Sequence, residues 1–306
     1  MTDVSIIIVN YNTLKMTSEC IDSVIEKTEG ISYEIILVDN ASTDGSKDYY
    51  STDRRVKYLY NEENIGFGRA NNKGIEISEG RNILFLNSDT LLRNNAIKIL
   101  SDFLDNNDNV GACGGNLFLP DGTPTTSFCR YLPSLYEEIN IFFGNIPNKV
   151  RFGKNIRFNY SSRPIKVGFI SGADLMVKRN TLDRTGSFNP NFFMYYEDTE
   201  LCTRIKGLSQ DVVSVPQAEI THYYGGKTLN DSSGESYMKY RIRNGNSKLI
   251  YYYLTYNHIY WKMACFIRGL KIRLRLLMPF LGSVNYWKTE LKVYKLIKEQ
   301  SWGLPS

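Results

Sequence analysis

The chain opens with VSIIIVNYN (4–12), a run of mostly β-branched apolar residues that closes on asparagine. Such a run reads as a buried strand. YEIILVDNAS (33–42), VKYLYN (56–61) and NILFLNSD (82–89) repeat the form, each ending in small polar or acidic residues. Between them the period changes. Ile21, Val24 and Ile25 give a helical stripe after Thr13 or Thr17, either of which is a natural N-cap. GRANNKGIEIS (68–78) reads as a helix despite Gly74, and NAIKILSDFL (95–104) sets Ala96, Ile99, Leu100 and Phe103 on one side. Four strand–helix alternations within about 100 residues predict an α/β fold with a mostly parallel sheet flanked by helices. Right-handed crossovers bring the carboxyl ends of parallel strands to one edge, where open α/β sheets bind ligands. The polar strand ends Asn10-Tyr11-Asn12, Asp39-Asn40, Asn61 and Asn87-Ser88-Asp89 therefore converge on one rim.

Past residue 110 the pattern loosens. VGACGGNLFLPDGTP (110–124) predicts a strand and a turn, and residues 125–165 suggest no clear element. FISGADLMVKR (169–179) reads as a strand, FMYYEDTELCTRI (193–205) as a helix entry, and DVVSVP (211–216) as a strand. His222 then falls in a loop before Tyr-Tyr-Gly-Gly. Farther on, RGLKIRLRLLMPFL (268–281) fits a helix with Ile267, Leu270, Leu274, Leu277 and Leu281 as its apolar stripe, and the strict alternation of KIRLRL within it also fits a strand.

Composition changes this picture in one place. The net charge of +5 hides a split: residues 236–306 carry 13 Lys/Arg against 2 Asp/Glu, while residues 1–235 carry 24 against 30. A mildly acidic body is thus joined to a basic, Tyr- and Trp-rich extension. That extension either packs on the body or meets an anionic lipid surface. No nucleic-acid partner is expected, because no recognised binding module accompanies the charge. Five cysteines without a CxxC pair argue against a disulfide framework and suit a reducing cytoplasm. No signal peptide and no apolar run of spanning length are evident, so the expected place is cytoplasmic, peripheral on the inner face of the membrane. An oligomer is compatible with the sequence.

The candidate chemistry lies in carboxylates. Asp89 ends a strand where a hard divalent cation could bridge to phosphates, and His222 is a candidate second ligand. Glu197 and Asp198 open a helix, where they complement its dipole or supply a general base. The chain lacks G-x-S-x-G, HExxH and a Walker loop.

Taken together, SIIIVNYN, LVDNASTDGS, NIGFGRANN with LFLNSDT, and FFMYYEDTELCTRI followed by THYYGGKT resemble family 2 inverting glycosyltransferases of GT-A fold, in the bacterial rhamnosyltransferase-like branch. The likeness runs over about residues 4–228. It implies transfer of a sugar from a nucleotide-diphosphate donor, dTDP-rhamnose or a UDP-hexose, to a hydroxyl of a lipid-linked or free glycan in surface-polysaccharide synthesis. It implies Asn10, Tyr11 and Asn12 in the nucleotide pocket, with Asp39 at the pyrimidine. Asn64, Gly66, Phe67, Asn71, Asn87 and Ser88 would shape the nucleotide-sugar side, and Gly172 and Ala173 the acceptor side. Asp89, with His222, would hold Mg²⁺ or Mn²⁺, and Asp198 would be the base with Glu197 supporting. Asn87 stands where many relatives have Asp, leaving one carboxylate fewer. The expected organisation is a GT-A catalytic domain at 1–235, with a nucleotide-sugar half to about 110 and an acceptor half beyond it, and a helical extension at 236–306. A nucleotidyltransferase would instead want a glycine-rich loop after the first strand, where NYNTLK has no glycine. A non-catalytic sugar-nucleotide or membrane-binding module is the third reading, and the presence of Asp89, Asp198 and His222 speaks against it.

Overall fold

The structure, a computed structural model, describes residues 2–142, 146–223, 235–277 and 284–300. The described residues fall into two compact units. The first is drawn from Met1–Leu132, Lys154–Phe193 and Glu197–Gly226, the second from Pro133–Gly153, Met194–Tyr196 and Lys227–Ser306.

The first unit is built on β1 (Val4–Asn10), α1 (Leu14–Lys27), β2 (Tyr33–Asp39), α2 (Ser46–Tyr50), β3 (Lys57–Tyr60), α3 (Phe67–Ile77) and β4 (Asn82–Asn87). Strands β3, β2, β1 and β4 lie side by side and parallel, with Asn10 opposite Asp39, Asp39 opposite Tyr60, and Val9 opposite Asn87. Their carboxyl ends therefore share one rim. Ile6, Ile8, Leu37 and Leu84 pack into one apolar layer, and Ile7, Ile36, Val38 and Phe85 into another, so both faces of the sheet are covered. This is why the strands read as unbroken apolar runs.

Local details differ from the sequence pattern. In α1 the buried positions include Thr17, Cys20, Ile21 and Val24, while Ile25 is exposed. The Thr13 side chain does not cap the helix; the first free N–H, of Leu14, donates instead to Asp44 Oδ2 at 2.8 Å. Gly74 is required in α3 because a Cβ there would stand 2.5 Å from Ile7 Cγ2, so its helix-propensity cost admits close helix–strand packing.

Beyond β4 come β5 (Thr90–Leu92), α4 (Ala96–Asp105), β6 (Val110–Phe118), β7 (Phe128–Cys129), α5 (Leu135–Phe142), α6 (Ile146–Phe152), β8 (Ile165–Lys166), β9 (Phe169–Ile170), β10 (Asp174–Lys178), α7 (Arg179–Thr185), α8 (Glu197–Gly207) and β11 (Asp211–His222). The main sheet runs β3-β2-β1-β4-β10-β6-β11-β5, with β8 beside β11. The expected strand at 169–179 is two strands, and β10 enters antiparallel between β4 and β6. Its amino end therefore joins the rim formed by the carboxyl ends of β1–β4. The expected strand at 211–216 continues to residue 222 through register shifts against β6. His222 is thus not in a loop; it ends β11, opposite Thr90 of β5.

The second unit contains α5, α6, α9 (Glu235–Thr255), α10 (His258–Leu277) and α11 (Val284–Gln300). The segment 268–277 is helical, which settles the helix-or-strand ambiguity; Leu281 lies outside the described residues. Within this unit Lys248 makes ion pairs with Glu137 at 3.1 Å and Glu138 at 2.7 Å. Tyr252 donates its hydroxyl to Glu138 at 3.1 Å. Burial disfavours the Lys248 charge, but Glu137, Tyr196, Glu138 and Tyr252 around it together outweigh that and raise its pKa.

Candidate active site

The rim holds two charged constellations, both in the first unit. At the end of β4, Asp89 Oδ1 lies 3.3 Å from His222 Nε2, and Asn87 Nδ2 lies 3.2 Å from the same nitrogen. The β5–β11 pairing creates this meeting, reinforced by the Tyr223 N–H donating to the Asp89 carbonyl at 2.9 Å. His222 Nδ1 is buried without a hydrogen-bond partner among the described residues. No cluster of three or more His, Cys, Asp or Glu able to hold a metal is found among the described residues. A two-donor site still fits a divalent ion that takes its remaining ligands from substrate phosphates and water. Adjacent ligands of an octahedral ion about 2.1 Å away stand about 3 Å apart, close to the 3.3 Å between Asp89 and His222.

The second constellation opens α8. Asp198 Oδ2 accepts from the Gly172 N–H at 2.8 Å, and Oδ1 accepts from the Thr199 N–H at 2.5 Å and its hydroxyl at 3.0 Å. Glu197 beside it is buried, and its Oε2 has no hydrogen-bond partner among the described residues. Burial raises the pKa of both. For Glu197 the neighbouring Asp198 adds to the rise, whereas for Asp198 the three hydrogen bonds oppose it. Within the pair, Asp198 has the hydrogen-bond donors that favour a carboxylate's charge, whereas Glu197 Oε2 has none among the described residues.

The two constellations are joined through β10: the Asn87 N–H donates to the Ala173 carbonyl at 3.0 Å. A glycine brings the loops together. Gly66, with φ of 87°, sits where a Cβ would be 2.3 Å from the Phe193 carbonyl oxygen, and the Phe67 N–H donates to that oxygen at 2.9 Å. A Cβ on Gly172 would lie 3.4 Å from the Phe67 ring. Thus the residues expected on the sugar and acceptor sides adjoin.

The other candidates divide by exposure. Tyr11 and Asn12 are exposed, and Asn64 and Ser88 are half-buried. Asn12 has a left-handed φ of 55° and Ala41 one of 68°, backbone strain of the kind that gathers at functional sites. Asn10 and Asp39 are buried and occupied within the fold, while Asn71 is buried with its Oδ1 lacking a hydrogen-bond partner among the described residues. Asn10 Oδ1 accepts from the Thr13 and Thr17 hydroxyls, Asp39 accepts from the Ser42 N–H and the Tyr58 hydroxyl, and Asn71 Nδ2 donates to the Phe67 carbonyl. Nearby, Arg69 donates to the Pro190 carbonyl at 2.9 Å. Asn40, placed on the rim by the sequence pattern but given no role there, bonds Asn61, Asn64 and the Ile65 N–H through its side chain and so ties two rim loops together. Sequence reasoning missed Thr199, which holds Asp198; its place beside Asp198 was the available signal. A cleft of about 340 Å³ lined by Glu79, Arg81, Lys178 and Arg179 lies at the opposite strand ends. Arg81 is paired with Asp105, and Lys178 and Arg179 donate to backbone carbonyls, so we place the chemistry at the rim.

This combination of sheet order and rim is the GT-A glycosyltransferase architecture. A mannosyltransferase of Pyrobaculum calidifontis, solved with GDP-Man and Mn²⁺, superposes with a TM-score of 0.55 at 16% identity, over 99% of this chain and 76% of that one. GalNAc-T7, solved with UDP, GalNAc and Mn²⁺, gives 0.58 at 15% identity, over 96% and 55%. Residues 5–186 match the family model described as Glycosyl transferase family 2, and the chain belongs to that family. It is a glycosyltransferase. The match ends before Asp198 and His222. An N-acetylglucosaminyl-diphospho-decaprenol L-rhamnosyltransferase of Mycobacterium tuberculosis is 28% identical over 248 residues, 75% of this chain and 77% of the relative. A low-salt glycan biosynthesis hexosyltransferase of Haloferax volcanii is 24% identical over 251 residues, 79% and 75%.

Proposed function

We propose that this glycosyltransferase inverts the anomeric centre of a nucleotide-diphosphate sugar, dTDP-rhamnose or a UDP-hexose, as it transfers the sugar to a hydroxyl of a lipid-linked glycan. The observation that carries the reading is the rim itself. Asp89 and His222 stand together at the end of β4, and the Asp198 carboxylate is fixed by the Gly172 N–H beside the Ala173–Asn87 bond. The relative acting on a decaprenol-diphosphate carrier supports the donor and acceptor classes.

In this reading Tyr11, Asn12, Asn64 and Ser88 line the nucleotide side. Asn10 and Asn71 brace it, and Asp39 reaches the pyrimidine after local opening, since it is fully buried. Gly66 and Phe67 border the sugar, and Gly172 and Ala173 the acceptor. Asp89 and His222 would hold Mg²⁺ or Mn²⁺; when bound, the ion neutralises charge on the departing diphosphate. Asp198 takes the proton of the attacking hydroxyl, and a protonated Glu197 leaves Asp198 as the ionised member of the pair. Displacement in one step uses no protein nucleophile, in keeping with described cysteines that are all buried. Within the described residues no helix is long and apolar enough to cross a membrane. The basic segment 236–306 would instead hold the enzyme against the anionic inner face of the membrane, where a lipid-linked acceptor lies.

The test is a screen of dTDP-rhamnose, UDP-hexoses and GDP-mannose with Mn²⁺ or Mg²⁺, reading thermal stabilisation and slow donor hydrolysis. One nucleotide sugar should stabilise the chain in a metal-dependent way and be turned over. Stabilisation that is equal in chelator, with no hydrolysis of any donor, would overturn the reading.

A further inference from the structure

We propose that the outward face of α10 lies in the headgroup layer of an anionic bilayer. The inference rests on the membrane part of the proposed function and names the surface that makes the contact. Along α10 the exposed apolar residues are Ile259, Met263, Phe266, Leu270 and Leu277, with Phe266 67% and Leu277 77% exposed. Their spacing of four, three, four and seven places them in one stripe along a helix about 30 Å long. Exposed Lys262 and Arg273 flank the stripe, and α10 contains no Asp or Glu.

Packing fixes which side turns outward. The opposite side of α10 buries Ala264, Cys265, Gly269 and Ile272. Gly269 admits α11 closely, since a Cβ there would stand 2.9 Å from the Tyr294 hydroxyl oxygen, and that hydroxyl donates to the Cys265 carbonyl at 2.9 Å. On α11 the exposed Lys288, Lys292 and Lys295 add positive charge, while Glu290 is buried and paired with Arg241. A stripe of large apolar side chains with basic flanks suits an interface of acyl chains and anionic headgroups. A second copy of the same face would instead set Lys and Arg against Lys and Arg. Because none of the described helices can span a bilayer, α10 would lie along the surface.

The experiment uses the full chain with vesicles of phosphatidylcholine containing phosphatidylglycerol, and with phosphatidylcholine alone, at low salt. Wild type should sediment with the anionic vesicles. The Phe266→Glu/Leu270→Glu double variant should partition roughly tenfold or more weakly, because it exchanges buried apolar area for charge. It should hydrolyse donor in solution at the wild-type rate, which shows that the catalytic unit is folded. An environment-sensitive dye on Phe266→Cys should shift to the blue only with the anionic vesicles. Equal sedimentation of wild type and double variant, with an unshifted dye, would overturn the α10 assignment and leave membrane binding standing. A wild-type chain that ignores anionic vesicles would overturn both, without touching the donor-hydrolysis result. A wild-type dimer that the double variant converts to monomer would assign the face to a second copy instead.

Discussion

Replacing Asp198 by Asn removes the proposed base while almost preserving its shape. An ionised carboxylate offers about four lone-pair sites. Three are occupied, by the Gly172 N–H, the Thr199 N–H and the Thr199 hydroxyl, leaving one for an acceptor hydroxyl. In the variant the amide oxygen can keep both Thr199 bonds, but the amide nitrogen then faces the Gly172 N–H. The lost charge-assisted bond costs about 1.5–3 kcal/mol. Removing a charge that burial already disfavours offsets much of this, so Tm should stay near that of wild type. Turnover should not. Without a proton acceptor kcat should fall roughly 10²–10⁴-fold, or about 3–5 kcal/mol of barrier, while donor Kd by calorimetry changes little. Steady-state transfer assays with the donor identified by the screen provide the measurement. Turnover within a few-fold of wild type, with an unchanged pH profile, would refute the assignment and move attention to Glu197.

The proposed metal pair and the buried acid Asp174 give two further expectations. His222→Ala should weaken Mn²⁺-dependent donor binding by roughly tenfold or more, and Asn87→Asp should strengthen it by adding a carboxylate. Unchanged metal titrations of both variants would remove this site from the reaction. Burial pushes the Asp174 carboxyl up to about 8 despite the hydrogen bond from the Gly115 N–H, whereas in an unfolded chain it titrates at about 3.9. The folded state therefore keeps a proton that the unfolded chain releases. This contribution to stability is full below the unfolded value and is lost as pH rises toward the folded one. Asp174→Asn should accordingly show a smaller fall in Tm from mildly acidic to mildly alkaline pH. Parallel Tm curves for variant and wild type would contradict it.

The rim was legible in the sequence because parallel strands covered on both faces must be apolar throughout, so their ends are marked by abrupt polarity. Asn10, Asp39 and Asn87 could be aligned in this way before any coordinates. The position of β10 could not. Whether a short apolar strand enters a sheet parallel or antiparallel depends on partners far along the chain. His222 reads as a loop residue because it follows a strand pattern and precedes Tyr-Tyr-Gly-Gly, whereas β11 runs on to it through register shifts against β6. Residues 125–165 resisted assignment because α5 and α6 are short, and neither carries a long amphipathic period. Exposure was equally hidden: Asp39 and Tyr11 are both polar rim residues, yet one is buried and the other open.

Asn87 and His222 are 135 positions apart, and nothing local draws them together. The β1–β4 region can close by short crossovers between neighbouring strands, while the Asp89–His222 pair waits for β11 to thread along β6 and reach β5. If this pair holds the ion, as proposed, metal affinity would be a readout of completed assembly. A nascent chain that stops before β11 could fold its nucleotide side but could not assemble the Asp89–His222 pair, a timing that would protect the cell's activated sugars from a half-built enzyme.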